Sequence, residues 1–175
     1  MSKKVLSFDA ETDGLWGQAF AIAAVVLENG QEIARFIGRL PDSVVTNDWV
    51  KKNVLPALAA VPVTHETYYQ LLADFAKFYL ANKQGADVVV HMGYIVEAKL
   101  LRDMFEFGYI GEWDAPYPLY DVSGNLQAIG ADPTSVDGFA AEHGLQVESF
   151  EGGTHNPLYD AAIAAVVYMY LVGKN

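Results

Sequence analysis

The chain opens on an apolar run, Val5-Leu6-Ser7-Phe8, that meets two carboxylates, Asp9 and Glu11, one residue apart and then breaks at Gly14. A strand covered on both faces reads as a near-continuous apolar run, so Val5, Leu6 and Phe8 predict a buried central strand. Two further stretches rich in β-branched and apolar residues follow, Ala19–Glu28 and Gln31–Leu40, joined by Asn29-Gly30. That dipeptide is the strongest short hairpin signal, and the three stretches predict a meander.

The spacing then lengthens. Asn47–Ala59 predicts a short helix interrupted at Pro56, and Thr64–Lys83 places Tyr68, Leu71, Leu72, Phe75, Phe78 and Tyr79 at helical spacing, the pattern of a core face. Asp87–Met92 predicts a buried strand, Tyr94–Gly108 an amphipathic helix ending at glycine, and Tyr117–Ser123 a fifth strand reaching Asp121. Thr134–Leu145 predicts a helix closed at Gly144, and Asn156–Gly173 a long final helix. Strands first and strand–helix alternation afterwards predict an α/β fold: a mixed five-stranded central sheet, its first three strands a meander, flanked by helices.

Composition narrows the chemistry. No internal repeat or Gly/Ser linker divides the 175 residues, so residues 1–175 are expected to form a single domain. Without cysteine, any metal must be held by oxygen or imidazole. No apolar stretch approaches the roughly 20 residues of a membrane-spanning helix, and the N-terminus lacks the features of a signal peptide. The expectation is a cytoplasmic protein with no membrane partner. Eleven basic against 22 acidic residues give a net charge of −11, which argues against broad, non-specific binding to a polyanion. A nucleic-acid role would need metal ions at the site.

Candidate chemistry centres on the acids. Asp9 and Glu11 share one face of the first strand, and two adjacent anions repel unless a divalent cation joins them. Further acids should then come from facing elements. Glu97 lies in the opening turn of the helix after the fourth strand, at the same sheet edge if that strand runs parallel to the first. Asn156 before Pro157 has the form of a helix N-cap, which sets Asp160 about one turn inside the final helix. His155 lies just before it, on a loop loosened by Gly152 and Gly153. Taken singly, each has an ordinary explanation: solvated strand-end acids, first-turn helix acids complementing the macrodipole, a surface histidine.

Together and in this order, the residues resemble the His-type (DEDDh) branch of the DEDD 3′-to-5′ exonucleases, of the RNase H-like superfamily. "FDAETDGL" is similar to the first motif, through Asp9, Glu11, Thr12, Gly14 and Leu15. "VVHMGYIVEAKLL" resembles the second, and "HNPLYDAA" the third, through His155 and Asp160. The resemblance extends along essentially the whole chain. It departs at the second motif, where Glu97 stands in place of the family's aspartate and His91-Met92 in place of His-Asn. Asn156 occupies the position where the Tyr-type branch carries tyrosine.

The resemblance implies an RNase H-like fold in which Asp9, Glu11, Glu97 and Asp160 hold two divalent ions, Mg²⁺ or Mn²⁺, about 3.5–4 Å apart. His155 is implied as the general base. Nucleoside 5′-monophosphates would be removed from the 3′ ends of single-stranded DNA, RNA or short oligonucleotides. Thr12, Gly14, Leu15 and Trp16 would meet the terminal nucleotide. His91 and Tyr94 border the same edge, as nucleotide contacts or, on the ordinary reading, as a core histidine and a helix-start tyrosine. Dimerisation in similar exonucleases leaves a homodimer open. Two alternatives stand beside this reading: a catalytically weak member that binds nucleic acid or protein, and another phosphoryl hydrolase on the same fold.

Overall fold

The computed structural model describes residues 3–147 and 153–173. Five strands, β1 (Lys4–Thr12), β2 (Ala19–Glu28), β3 (Gln31–Arg39), β4 (Ala86–Val90) and β5 (Leu119–Asp121), form one mixed sheet in the order β3-β2-β1-β4-β5. The first three pair antiparallel, whereas β4 runs parallel to β1 and β5 parallel to β4. This is the expected five-stranded α/β sheet with its opening meander. Asn29 and Gly30 take φ of 53° and 82°, the left-handed pair that a tight hairpin turn requires.

Six α-helices are described: α1 (Asp48–Asn53), α2 (Tyr68–Asn82), α3 (Val96–Glu106), α4 (Val122–Ala128), α5 (Val136–Glu142) and α6 (Pro157–Gly173). Along β1, Leu6, Phe8 and Ala10 join the core under α2 and α3, and Val5 joins the core under α4, α5 and α6. Asp9 and Glu11 continue the Val5 face by strand alternation and are therefore turned toward α6. That helix follows Asp160 with Ala161, Ala162, Ala164 and Ala165, all buried. Small side chains allow a helix to pack close on a sheet, which brings an acid on α6 down to the acids of β1. Ala161→Leu is expected to destabilise the fold by about 1–3 kcal/mol through overpacking, read as a lower denaturant midpoint at unchanged slope.

The structure departs from expectation in three places. Strand β4 stops at Val90, leaving His91 and Met92 in the loop before α3, where the backbone N–H groups of Met92 and Gly93 donate to Asp121 at 3.1 and 3.0 Å. Side-chain capture of those donors takes the place of a longer ladder. The helix expected from Tyr94 begins at Val96. Helix α4 has no counterpart in the sequence reading, because Ser123, Gly124 and Asn125 are poor helix formers; the Asp121 side chain caps it by accepting from Ser123 N at 3.0 Å. Among the described residues, no helix is long and apolar enough to cross a membrane.

Candidate active site

The parallel pairing of β1 with β4 covers Lys4–Ser7 and goes no further. Beyond Ser7 the strands part, and the carboxyl end of the sheet opens into the crevice where open α/β sheets bind ligands. Asp9 and Glu11 stand on β1 at this opening. Glu97, buried in the first turn of α3, accepts a hydrogen bond from Ala10 N at 3.1 Å, occupying a backbone donor that β4 no longer pairs. The acid thereby ties α3 to β1 between the two strand carboxylates.

Asp160 enters from α6. Asn156 caps that helix, accepting from Leu158 N at 3.1 Å through its side chain and from Asp160 N at 3.0 Å through its carbonyl. Oxygens of Asp9, Glu11 and Asp160 all lie within 4.8 Å of one another. Glu97 borders the same pocket, of about 480 Å³, while standing outside that set of oxygens. His155, at φ 67°, completes the rim: its backbone N donates to Asp160 Oδ2 at 3.0 Å, and its Nδ1 lies 3.8 Å from Glu11 Oε1. Gly153 precedes it at the loop; Gly152 lies outside the described residues.

The electrostatics are those of an uncompensated anionic cluster. Burial, and then the charges of Glu97, Asp160 and Glu11, push the Asp9 carboxyl well above the usual carboxylate range. Burial raises Glu97 to about 8 against the bond from Ala10 N, with Glu11 and Asp121 adding to the rise. Asp160 goes up to about 7 through burial and the charges of Glu11 and Asp137. The Glu11 carboxylate raises the His155 imidazole above its ordinary value. An all-oxygen donor set with surplus negative charge fits a hard divalent cation such as Mg²⁺ or Mn²⁺, and such an ion would relieve the repulsion.

Thr12 ends β1, and the turn after it is pinned from outside. Asp13 accepts from Thr46 N at 3.0 Å, Thr46 Oγ1 at 2.6 Å and Asn47 N at 2.8 Å. Gly14, at φ 80°, sits so close to Asn47 that an added Cβ would lie 2.9 Å from its Nδ2. The turn leaves Leu15 and Trp16 60% and 68% exposed. Asp13→Ala is expected to loosen this turn, with the melting temperature shifting by only a few degrees because the bonds are at the surface; amide hydrogen exchange at Gly14, Leu15 and Trp16 and a thermal scan check both halves.

His91 borders the carboxylate pocket, its Nε2 3.0 Å from Pro133 O. Tyr94 does not border that pocket; it is 80% exposed in a neighbouring cleft beside Trp16. Sequence reasoning missed Asp137, which borders the pocket and accepts from Tyr159 Oη–H at 2.8 Å, because, unlike the first-turn acids Glu97 and Asp160, it lies in none of the three motif segments. It also missed Trp49, whose ring meets His155 edge-on at 6.1 Å between centroids. Asp103 is excluded from the site by its own partners, Tyr68 Oη at 2.5 Å and Lys99 Nζ at 2.5 Å.

No protein-family model and no curated protein sequence matches the chain. Among solved structures, it is similar to Exonuclease X in complex with 5′-overhanging duplex DNA, with a TM-score of 0.62 and 18% identity, over 98% of this chain and 92% of that one. The likeness is one of fold, and it agrees with the RNase H-like architecture expected from the motifs.

Proposed function

We propose that this chain is a metal-dependent 3′-to-5′ exonuclease of the DEDDh type, residues 1–175 forming its exonuclease domain, which releases nucleoside 5′-monophosphates from 3′ ends of single-stranded DNA, RNA or short oligonucleotides. The observation that carries the reading is the convergence of Asp9, Glu11 and Asp160, with His155 on their rim, in the crevice at the carboxyl end of the sheet. The fold shared with an exonuclease supports it.

Asp9, Glu11 and Asp160, joined by Glu97, would hold two divalent ions. When bound, such ions supply Lewis acidity for water attack and charge neutralisation at the leaving oxygen. The protein's own residues do the rest. His155 accepts the proton of the attacking water, and its backbone bond to Asp160 keeps the imidazole beside the acids. Leu15 packs on the terminal base, and Thr12 and Gly14 let the strand end come close to β1.

Because Glu11 raises the His155 pKa, activity should fall as pH drops through a value above the usual 6.5 of histidine. His155→Ala should lose about 10²- to 10⁴-fold in kcat and flatten that acid limb.

The test is a shortening assay. Strands labelled at the 3′ or 5′ end, as single-stranded DNA, single-stranded RNA and a 5′-overhanging duplex with its recessed 3′ end, are incubated with Mg²⁺ or Mn²⁺. Stepwise loss from the 3′ end, abolished by Asp9→Ala and His155→Ala, is the expected result; internal cleavage would point to a different phosphoryl hydrolase. One observation favours a second reading, a binding module with little turnover: Glu97 spends an oxygen on Ala10 N and stands outside the cluster of three acids. Strand binding without shortening in either metal, with turnover gained in Glu97→Asp, would decide for it.

A further inference from the structure

Away from the carboxylates, the helices over the Val5 face of the sheet leave an apolar hollow open. It measures about 250 Å³ and lies where the end of α4, helix α5 and the last turns of α6 meet, lined by Ala128, Ile129, Phe139, His143, Tyr170 and Leu171. Ile129 is 58% exposed at its edge. The rings form a cluster: Phe139 stacks on His143 at 4.0 Å between centroids, and Tyr170 meets His143 edge-on at 5.3 Å. The volume falls below the roughly 300–1,000 Å³ of small-molecule sites. It suits one or two anchoring side chains better than a cofactor.

The charge around the hollow differs from that of the opposite layer. On α2 and α3, acids pair with a base about one turn away, as Asp74 with Lys77 and Glu106 with Arg102, each at 2.7 Å. Between Arg102 and Lys174 the sequence has no lysine or arginine, yet half of the 22 acids fall there. That stretch supplies α4, α5 and α6. Beside the hollow, Glu142 precedes His143 and Asp132 follows three residues after Ile129, both exposed. Glu142 is the last residue of α5 and has no base in its turn. An acid at a helix's carbonyl end opposes the macrodipole, so its charge returns nothing to the helix that carries it.

We propose that this hollow is a docking surface for a basic amphipathic segment of a partner protein, which sets apolar anchors against Ile129, Phe139 and Leu171 and its lysines or arginines against Glu142, Asp132 and the Tyr170 ring. The inference does not depend on the exonuclease reading. Apolar anchors at helical spacing fill hollows between helices, and a cation is attracted both to the acids and to an aromatic face. Charge selects this occupant over others. A second copy of the chain would bring an equally acidic layer against the first, and a nucleic acid would bring phosphates; both repel.

The experiment uses the full chain, isotope-labelled for amide NMR, and three synthetic helical peptides of equal length. One has leucines on one face and arginines on the other; the second has glutamates for the arginines, and the third serines for the leucines. The leucine–arginine peptide should shift the amide signals of Ile129, Phe139, His143, Tyr170 and Leu171 saturably, with an affinity that falls as salt rises. The serine peptide should bind about tenfold more weakly, the scale of a lost anchor, and the glutamate peptide should leave the signals in place. Ile129→Ser should cost a similar factor, and its exposure protects the fold, which a thermal scan checks. Glu142→Lys and Glu66→Lys change the net charge equally, but Glu66 stands exposed before α2. Glu142→Lys alone should weaken the peptide, while its melting temperature stays or rises because a cation suits the end of α5. Absence of saturable shifts, shifts scattered over the surface, equal binding of the glutamate peptide, or equal weakening by the two charge reversals would overturn the inference. Concentration-dependent shifts of the same signals without peptide would overturn it in favour of a second copy. No turnover is measured, so the outcome is separate from that of the shortening assay.

Discussion

Asp160→Asn is expected to remove turnover and, at the same time, to raise the melting temperature of the metal-free protein at alkaline pH. The substitution is nearly isosteric, and its amide oxygen can still accept from His155 N, the bond that Asp160 Oδ2 makes at 3.0 Å. What it deletes is a charge. In the native fold that charge is opposed by burial and by Glu11 and Asp137, which together push the carboxyl up to about 7. Neutralising it relieves the folded state and leaves the unfolded chain almost untouched. In EDTA at about pH 8.5 a gain of a few degrees follows for a chain of this length, at roughly 2–4 °C per kcal/mol. Turnover should fall on the order of 10²- to 10³-fold or more, the usual scale when one preorganised electrostatic element of a site is lost. The opposite signs are the point. A first-turn acid whose charge served only to complement the α6 dipole would lose stability on substitution, so a lower melting temperature in EDTA at that pH would identify Asp160 as structural.

What could be read in advance follows from the range of each signal. The β1–β2–β3 meander was legible because Asn29-Gly30 encodes its turn locally, and α6 because Asn156-Pro157 encodes its start. The candidate acids were legible because local patterns fixed their places: strand alternation set Asp9 and Glu11 on one face, and the cap set Asp160 one turn in. The end of β4 was not, since it depends on Asp121 capturing the N–H groups of Met92 and Gly93 from 29 and 28 residues away. Helix α4 was hidden for a different reason: its cap is local, Asp121 to Ser123, but Ser123, Gly124 and Asn125 run against helical propensity. His91 and Tyr94, read as neighbours at one edge, border separate hollows because α3 starts only at Val96. Trp49 reaches His155 across a gap of 106 residues, and no local pattern announces such a contact.

The second large effect is a stability that runs against pH until a cation is added. In the unfolded chain Glu97 releases its proton near its ordinary 4.5, and in the fold only near 8. Between those values the folded state holds more protons than the unfolded one, so stability falls with every step up in pH. Asp160 adds to the fall between 3.8 and about 7. In EDTA the melting temperature should therefore drop from about pH 5 to about pH 8, on the order of 5–10 °C for a chain of this size, and Asp9, held well above the usual carboxylate range, adds to the fall in the same direction. Mg²⁺ or Mn²⁺ competes with the same protons. Its stabilisation should grow with pH across that window, and titration calorimetry at pH 7 in buffers of different ionisation enthalpy should register proton release. Glu97→Gln separates the two roles that this acid could have, because its amide oxygen can keep the bond to Ala10 N while its charge is gone. If Glu97 is a ligand, the variant binds the ion more weakly, releases fewer protons and loses the part of the pH slope between about 7 and 8. If Glu97 only ties α3 to β1, affinity and proton release stay as in wild type, and the cation is held by Asp9, Glu11 and Asp160 alone.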